Sequence, residues 1–175
     1  MKITLKELQN NELSAFWELA FSDNNAEWTK WNGPYFHDKL PSKQNFLDLS
    51  KTNKYLQNPF RKVIWAGNHM VGLVSAYYED EPLRQWLDIG ITVYDQNNWR
   101  HGVGKSALGQ WLDELFETTS LPHIGLTTWS GNYRMVALAE SLGLKKEAEV
   151  RQVRYWQGRY WDSVKYGILR SEWTK

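Results

Sequence analysis

The sequence predicts an α/β fold with a mixed, mostly antiparallel central sheet and helices on both faces. Two observations lead there. Seven short stretches read as strands and four as helices, in the order β-α-α-β-β-β-α-β-α-β-β. Three consecutive strands joined by short turns pair antiparallel, whereas the strand–helix–strand unit after them needs a parallel, right-handed crossover.

Composition narrows the function classes. A chain of 175 residues suits one compact domain, and no linker, repeat or low-complexity stretch divides it, so residues 1–175 are expected to form one unit. With 42% hydrophobic residues it can bury a core without a disulfide or structural metal. Twenty-one basic and 20 acidic side chains leave a formal charge of +1, too weak a field to favour nucleic acid or an anionic membrane as partner. Cysteine is absent, which removes thiol nucleophiles and thiolate metal sites. The charged opening, Lys2 to Glu7, lacks the apolar block of a secretory signal, and no run approaches the ~20 apolar residues that span a bilayer. A soluble, cytoplasmic protein is expected.

Taken in order, residues 2–6 alternate like a strand, and Asn10-Asn11 cap a helix whose apolar face holds Phe16, Trp17, Leu19 and Ala20. Residues 28–41 contain Gly33-Pro34 and Pro41 and read as an ordered loop. Ser42 caps a second helix carrying Phe46, Leu47 and Leu49. Residues 61–66 and 70–78 form strands around a Gly67-Asn68-His69 turn, and 85–94 form a third. Residues 102–116 are helical, with Val103, Ala107, Leu108, Trp111, Leu112 and Leu115 on the buried side. A strand at 123–128, a helix at 132–142 ended by Gly143, and strands at 144–156 and 160–169 complete the chain.

Between the strand at 85–94 and the next helix lies Trp99-Arg100-His101-Gly102-Val103-Gly104-Lys105. Two glycines one residue apart allow a tight turn and a close ligand approach. The free N–H groups of the following helix, its dipole, and Arg100, His101 and Lys105 together make an anion site suited to a diphosphate. A glycine turn without a ligand is the plainer alternative. Gly104-Lys105-Ser106 ends like a Walker A loop, but that motif demands glycine where Trp99 stands, and a bulky ring cannot wrap a phosphate closely. The dinucleotide fingerprint has Ala107 for its third glycine, and the antiparallel strands before it are wrong for that unit.

These residues resemble the GNAT N-acetyltransferases. The family's pyrophosphate loop reads [Q/R]-x-x-G-x-[G/A], and residues 99–104 match it except at Trp99, where tryptophan is similar to the ribosomal-protein N-terminal acetyltransferase branch. A second family motif, an asparagine opening the next helix about ten residues before a Gly-Leu pair, is matched by Asn132 and Gly143-Leu144. The resemblance implies a GNAT-like fold along the whole chain, with acetyl-CoA as acetyl donor lying where the strand at 85–94 splays from that at 123–128. Ile91, Thr92 and Val93 would pair with the pantetheine arm, an N–H near Ile91 would polarise the thioester, and Asn132 would contact the coenzyme; a simple helix cap is its plainer role.

Direct transfer needs a neutral amine, and Asp88 is the candidate base. It stands thirteen residues before His101, the spacing of the catalytic glutamate in the histone acetyltransferase branch, and Trp86, Leu87 and Ile89 would partly desolvate it. A salt-bridged or solvated strand aspartate is the alternative. The family's usual acids are missing: Ala139 stands at the tyrosine position and Met135 at the serine position, leaving Tyr133 or unaided thiolate departure.

The chain holds 11 Trp, 9 Tyr and 6 Phe, and Trp28, Trp31, Tyr35 and Trp156 are expected to line an aromatic acceptor pocket. Asp38, Glu79 or Asp88 nearby would suit a cationic amine, whether small molecule or peptide N-terminus. His37, His69, His101 and His123 have no metal-ligand spacing, so no metal is expected. The aromatic C-terminal hairpin suggests a homodimer. The rival functions are a CoA-binding regulatory or inactive scaffold and an unrelated nucleotide-binding protein.

Overall fold

The computed structural model describes residues 2–50 and 53–174. Strands β1 (Ile3–Lys6), β2 (Arg61–Ala66), β3 (His69–Tyr78) and β4 (Leu87–Val93) pair antiparallel in chain order. Strand β5 (His123–Trp129) runs parallel to β4, and β7 (Arg159–Leu169) runs antiparallel beside it. Strand β6 (Lys145–Trp156) forms the outer edge, so the seven-stranded sheet has the order β1-β2-β3-β4-β5-β7-β6. The β4–β5 pair is the parallel step in an otherwise antiparallel sheet, as the crossover after residue 94 requires.

Two helices cover each face. Helices α3 (Val103–Thr118) and α4 (Tyr133–Ser141) pack on one side, where Leu108, Trp111 and Leu112 meet Ile64, Val74, Leu87 and Ile124, all fully buried. Each such side chain contributes about 1.5–3 kcal/mol on leaving water. The Trp111 indole N–H also donates to the Ser75 carbonyl at 3.1 Å, which pins α3 across β3. Helices α1 (Leu13–Phe21) and α2 (Lys43–Ser50) cover the opposite face around a stacked Phe16–Phe46 pair, 5.9 Å between centroids.

Local departures from the sequence reading have simple causes. Helix α1 starts at Leu13 because Asn10–Glu12 forms a 3-10 turn, in which the Glu12 carboxylate accepts the Gln9 N–H. The loop expected over residues 28–41 contains two 3-10 turns, Glu27–Lys30 and Pro34–Phe36, and Gly33 supplies the left-handed residue (φ 57°) before the second. Trp28 anchors it through its indole N–H to the Ala20 carbonyl. Ser42 does cap α2, accepting from the Asn45 N–H at 3.2 Å. Among the described residues no helix is long and apolar enough to cross a membrane.

Candidate active site

Strands β4 and β5 pair only at Leu87–Ile124 and Asp88–Gly125. Beyond these pairs β4 runs on to Val93 and β5 to Trp129 unjoined, so the sheet opens. A cavity of about 440 Å³ lies at the opening, walled by Ile91, Thr92 and Val93 on one side and by the first turns of α3 and α4 on the other. Edge groups freed from pairing can take an extended ligand in strand fashion.

The loop before α3 faces this cavity. Gly102 holds a left-handed conformation (φ 77°) that glycine adopts without a steric penalty, and Arg100 (φ 65°) turns the chain just before it. The first bond into the helix runs from the Ser106 N–H to the Gly102 carbonyl, which leaves the N–H groups of Val103, Gly104 and Lys105 without a helical acceptor. Three free donors at the positive end of a helix, with Arg100 and Lys105 in the lining, offer a site that an anion such as a diphosphate fits.

Trp99, the residue that departs from the family pattern, has a structural reason to be there. Its indole N–H donates to the Val93 carbonyl at 2.8 Å, closing the end of β4. Its ring and that of Trp31 sandwich the Arg134 guanidinium, whose carbon lies 4.3 and 4.2 Å from the two centroids. Arg134 lines the cavity, and its Nη1 is buried without a hydrogen-bond partner. Such an orphaned donor fits an anionic ligand that would complete it. Arg134→Met is therefore expected to weaken acetyl-CoA binding by about 10-fold, measured by calorimetry, with little change in unfolding temperature.

Of the residues expected to hold the coenzyme, Ile91, Thr92, Val93, Trp99, Arg100, Gly102, Val103, Gly104, Lys105 and Asn132 line the cavity; His101 points away and is exposed. Asn132 caps α4, accepting from the Met135 N–H at 3.1 Å, and its amide donates to the Trp31 carbonyl. Trp31, expected from sequence to line the acceptor pocket, lines this first cavity and not the second one on the α1–α2 face. The sequence reading missed Arg134; its only signal was a cation two residues past the motif asparagine.

A second cavity of about 310 Å³ opens on the α1–α2 face of the sheet, lined by Phe21, Tyr55, Arg61, Leu73, Ser75, Tyr77, Gly90, Tyr94 and Thr127 among others. The two cavities share Trp28, Asn32, Ile91 and Thr92, so they meet over β4. Tyr35 and Trp156 line neither. Tyr35, in the Pro34–Phe36 turn, packs on Phe36, Trp129 and Arg154, and Trp156, at the end of the outer strand β6, packs on His37.

Asp88 lies behind the floor of this second cavity and is fully buried. Its Oδ2 accepts from the Thr127 hydroxyl at 2.8 Å and from the Lys165 ammonium at 2.9 Å, while Oδ1 has no partner. The carboxylate fits only because position 125 is glycine: a Cβ there would stand 2.6 Å from Oδ1. Burial, then the negative charges of Asp88 and Glu79, push the Tyr77 phenol up to about 12, so it stays a neutral donor at the cavity wall. Among the described residues no carboxylate lines the second cavity and Asp38 is exposed, but Asp88 is hydrogen-bonded by the lining Thr127 and Glu79 touches the lining Tyr77. Among the described residues no cluster of histidine and carboxylate side chains is arranged to hold a metal.

Residues 2–145 match the family model described as an acetyltransferase (GNAT) domain. The fold is similar to that of a spermidine N-acetyltransferase from Vibrio cholerae solved in complex with CoA and spermine, with 21% identity, 97% of this chain and 96% of that one covered, and a TM-score of 0.75. It is likewise similar to GNAT-family acetyltransferases from Bacillus anthracis (15% identity, 98% and 97% covered, TM-score 0.75) and Streptococcus pneumoniae (15%, 96% and 99%, 0.76). No curated protein sequence matches the chain. The family model spans the glycine loop before α3 and both sides of the opening in the sheet, and the chain belongs to the GNAT acetyltransferases, whose acetyl donor is acetyl-CoA.

Proposed function

We propose that this protein, acting as one catalytic unit over residues 1–175, transfers the acetyl group of acetyl-CoA directly to the primary amine of a small molecule or a peptide N-terminus. The observation that carries the proposal is the meeting of the two cavities at Trp28, Asn32, Ile91 and Thr92. An amine in the second cavity reaches the reactive end of a ligand in the first without crossing solvent. The likeness of residues 99–104 to the ribosomal-protein branch supports including peptide N-termini among the acceptors.

The coenzyme supplies an activated acetyl group; the chain supplies position and proton handling. The loop N–H groups with Arg100, Lys105 and Arg134 bind the diphosphate, and the free edge of β4 at Ile91–Val93 aligns the arm. As the amine nitrogen bonds to the acetyl carbon and the carbon–sulfur bond breaks, one proton must leave the nitrogen. Thr127 lines the acceptor cavity and donates to Asp88, so it hands the proton on to that buried carboxylate.

The departing thiolate needs no protein acid, since a thiol with a reference pKa of about 8.5 is already a fair leaving group. Ala139 is buried in the core and Met135 carries no proton to give. Tyr133 is 59% exposed at the rim, edge-on to Trp31. Tyr133→Phe is therefore expected to lower kcat by less than about 3-fold, whereas removing a true general acid costs about 100-fold or more.

The proposal is tested by thermal unfolding with acetyl-CoA, CoA, ATP and NAD, followed by thiol release with a broad amine panel. Stabilisation by acetyl-CoA and CoA alone, with amine-dependent thiol release, supports it. Coenzyme binding without release from any amine would leave a CoA-binding scaffold. Stabilisation by ATP but not by CoA would overturn the assignment of the first cavity.

A further inference from the structure

We infer that the acceptor carries a carboxylate as well as its amine, so that the substrate class is a small amino acid rather than a polyamine or simple amine, and that Arg61 is the residue that selects it. The inference rests on the acetyltransferase reading above and deepens it.

The formal charges around the second cavity point one way. Among its described lining residues Arg61 is the one charged side chain; the rest are aromatic, apolar or neutral polar. Arg61 stacks on Tyr55, with its guanidinium carbon 4.8 Å from the ring centroid, and has no carboxylate partner among the described residues. Arg170, by contrast, donates to the carbonyls of Phe116, Thr119 and Leu121. A planar fork held by an aromatic face with its donors unused is prepared for a bidentate anion.

The strand register fixes where that anion would lie. Arg61 pairs across with Ser75, and Ser75 with Gly90, so the three form one row over β2, β3 and β4. Two strand spacings put the Arg61 Cα roughly 10 Å from the Gly90 Cα. Gly90 adds no side chain between them, which keeps the floor of the cavity open. Thr92, where the cavities meet, lies two residues further along β4. An arginine side chain spans a good part of that distance, so a small molecule can present its amine at the junction and its carboxylate to Arg61.

The same charges disfavour a polyamine. A second or third ammonium would face Arg61 with no carboxylate among the described lining residues to receive it. Asp88 is fully buried, accepts from Thr127 and already engages Lys165. Like-charge juxtaposition in a partly desolvated pocket costs more than aromatic contact returns.

The test uses phenylalanine and 4-aminobutyrate, the amide of each, the decarboxylated amines phenethylamine and propylamine, and spermidine. Each is assayed for acetylation, and each is titrated by calorimetry into the CoA complex of wild type, Arg61→Gln and Arg61→Lys. We expect at least one amino acid to exceed its amide and its decarboxylated counterpart by about 10–100-fold in kcat/KM. Arg61→Gln should bring that ratio close to one without changing CoA affinity, and Arg61→Lys should restore it in part. Equal or better turnover of spermidine or the simple amines would overturn the inference and leave the acetyltransferase reading standing. Arg61-dependent binding of an amino acid without acetyl transfer to any amine would do the reverse. Absence of an Arg61-dependent preference in both binding and turnover would likewise overturn the inference.

Discussion

Replacing Gly104 with leucine is expected to abolish acetyl-CoA binding while leaving the fold intact. Gly104 sits in the first turn of α3 and lines the coenzyme cavity, with one of the three free N–H groups. A Cβ built there meets Leu138 Cδ2 at 3.4 Å, an ordinary contact, so alanine is accommodated. A leucine adds three more carbons to that crowded point and places them across the anion site. The helix itself gains, since leucine is a better helix former than glycine by roughly 0.5–1 kcal/mol. At about 100 times Kd, acetyl-CoA should stabilise the wild type by about 2.7 kcal/mol, a shift of roughly 5–11 °C for a chain of this size. Gly104→Leu should unfold at or slightly above the wild-type temperature without ligand and show no shift with it. Gly104→Ala should keep most of the shift. Gly102 is a poorer test, because its left-handed φ of 77° makes any replacement strained whatever the ligand does. A full ligand shift in Gly104→Leu would place the diphosphate elsewhere.

What the sequence revealed and what it hid follow from the range of the interactions. The glycine loop was legible because its chemistry is local: glycines, helix N-terminus and cations lie within a few residues of one another, and all of Trp99 to Lys105 but His101 line one cavity. His101 is the exception: it is exposed and does not line the cavity. The element order was legible for the same reason, each strand and helix being marked by its own periodicity and turn residues. The partners of each side chain were not. Nothing near Asp88 in sequence announces Lys165, 77 residues away, or the glycine at 125 that makes room for the carboxylate. Arg134 becomes a coenzyme ligand candidate only when Trp31 and Trp99 close on it from two distant loops. Aromatic residues were the least readable, because rings serve cores and pockets equally well. Trp28 lines the second cavity whereas Tyr35 packs on Trp129 and Trp156 on His37, a difference set by tertiary placement rather than by composition.

Lys165→Met is expected to be the most destabilising single change at the site, and its rescue separates the two roles open to Asp88. Removing the ammonium leaves a carboxylate that is 0% exposed with one hydrogen bond, from Thr127, and an Oδ1 with none. Breaking a buried pair in this way typically costs about 3–5 kcal/mol. The lower end applies because the Lys165 side chain is itself 24% exposed, so water can reach part of the vacated space. About 3 kcal/mol corresponds to a fall of roughly 6–12 °C in unfolding temperature. Adding Asp88→Asn removes the uncompensated charge while an amide oxygen still accepts from Thr127, so the double variant should recover more than half of that loss. Equal destabilisation in single and double variants would mean that the ion pair does not hold the site. The double variant then serves as a probe of mechanism, because it is folded and its coenzyme cavity is untouched. If Asp88 receives the proton through Thr127, that variant binds acetyl-CoA as the wild type does and loses about 100-fold or more in kcat. If kcat survives, the buried carboxylate is a structural counter-ion for Lys165, and the amine gives up its proton to water in the acceptor cavity instead.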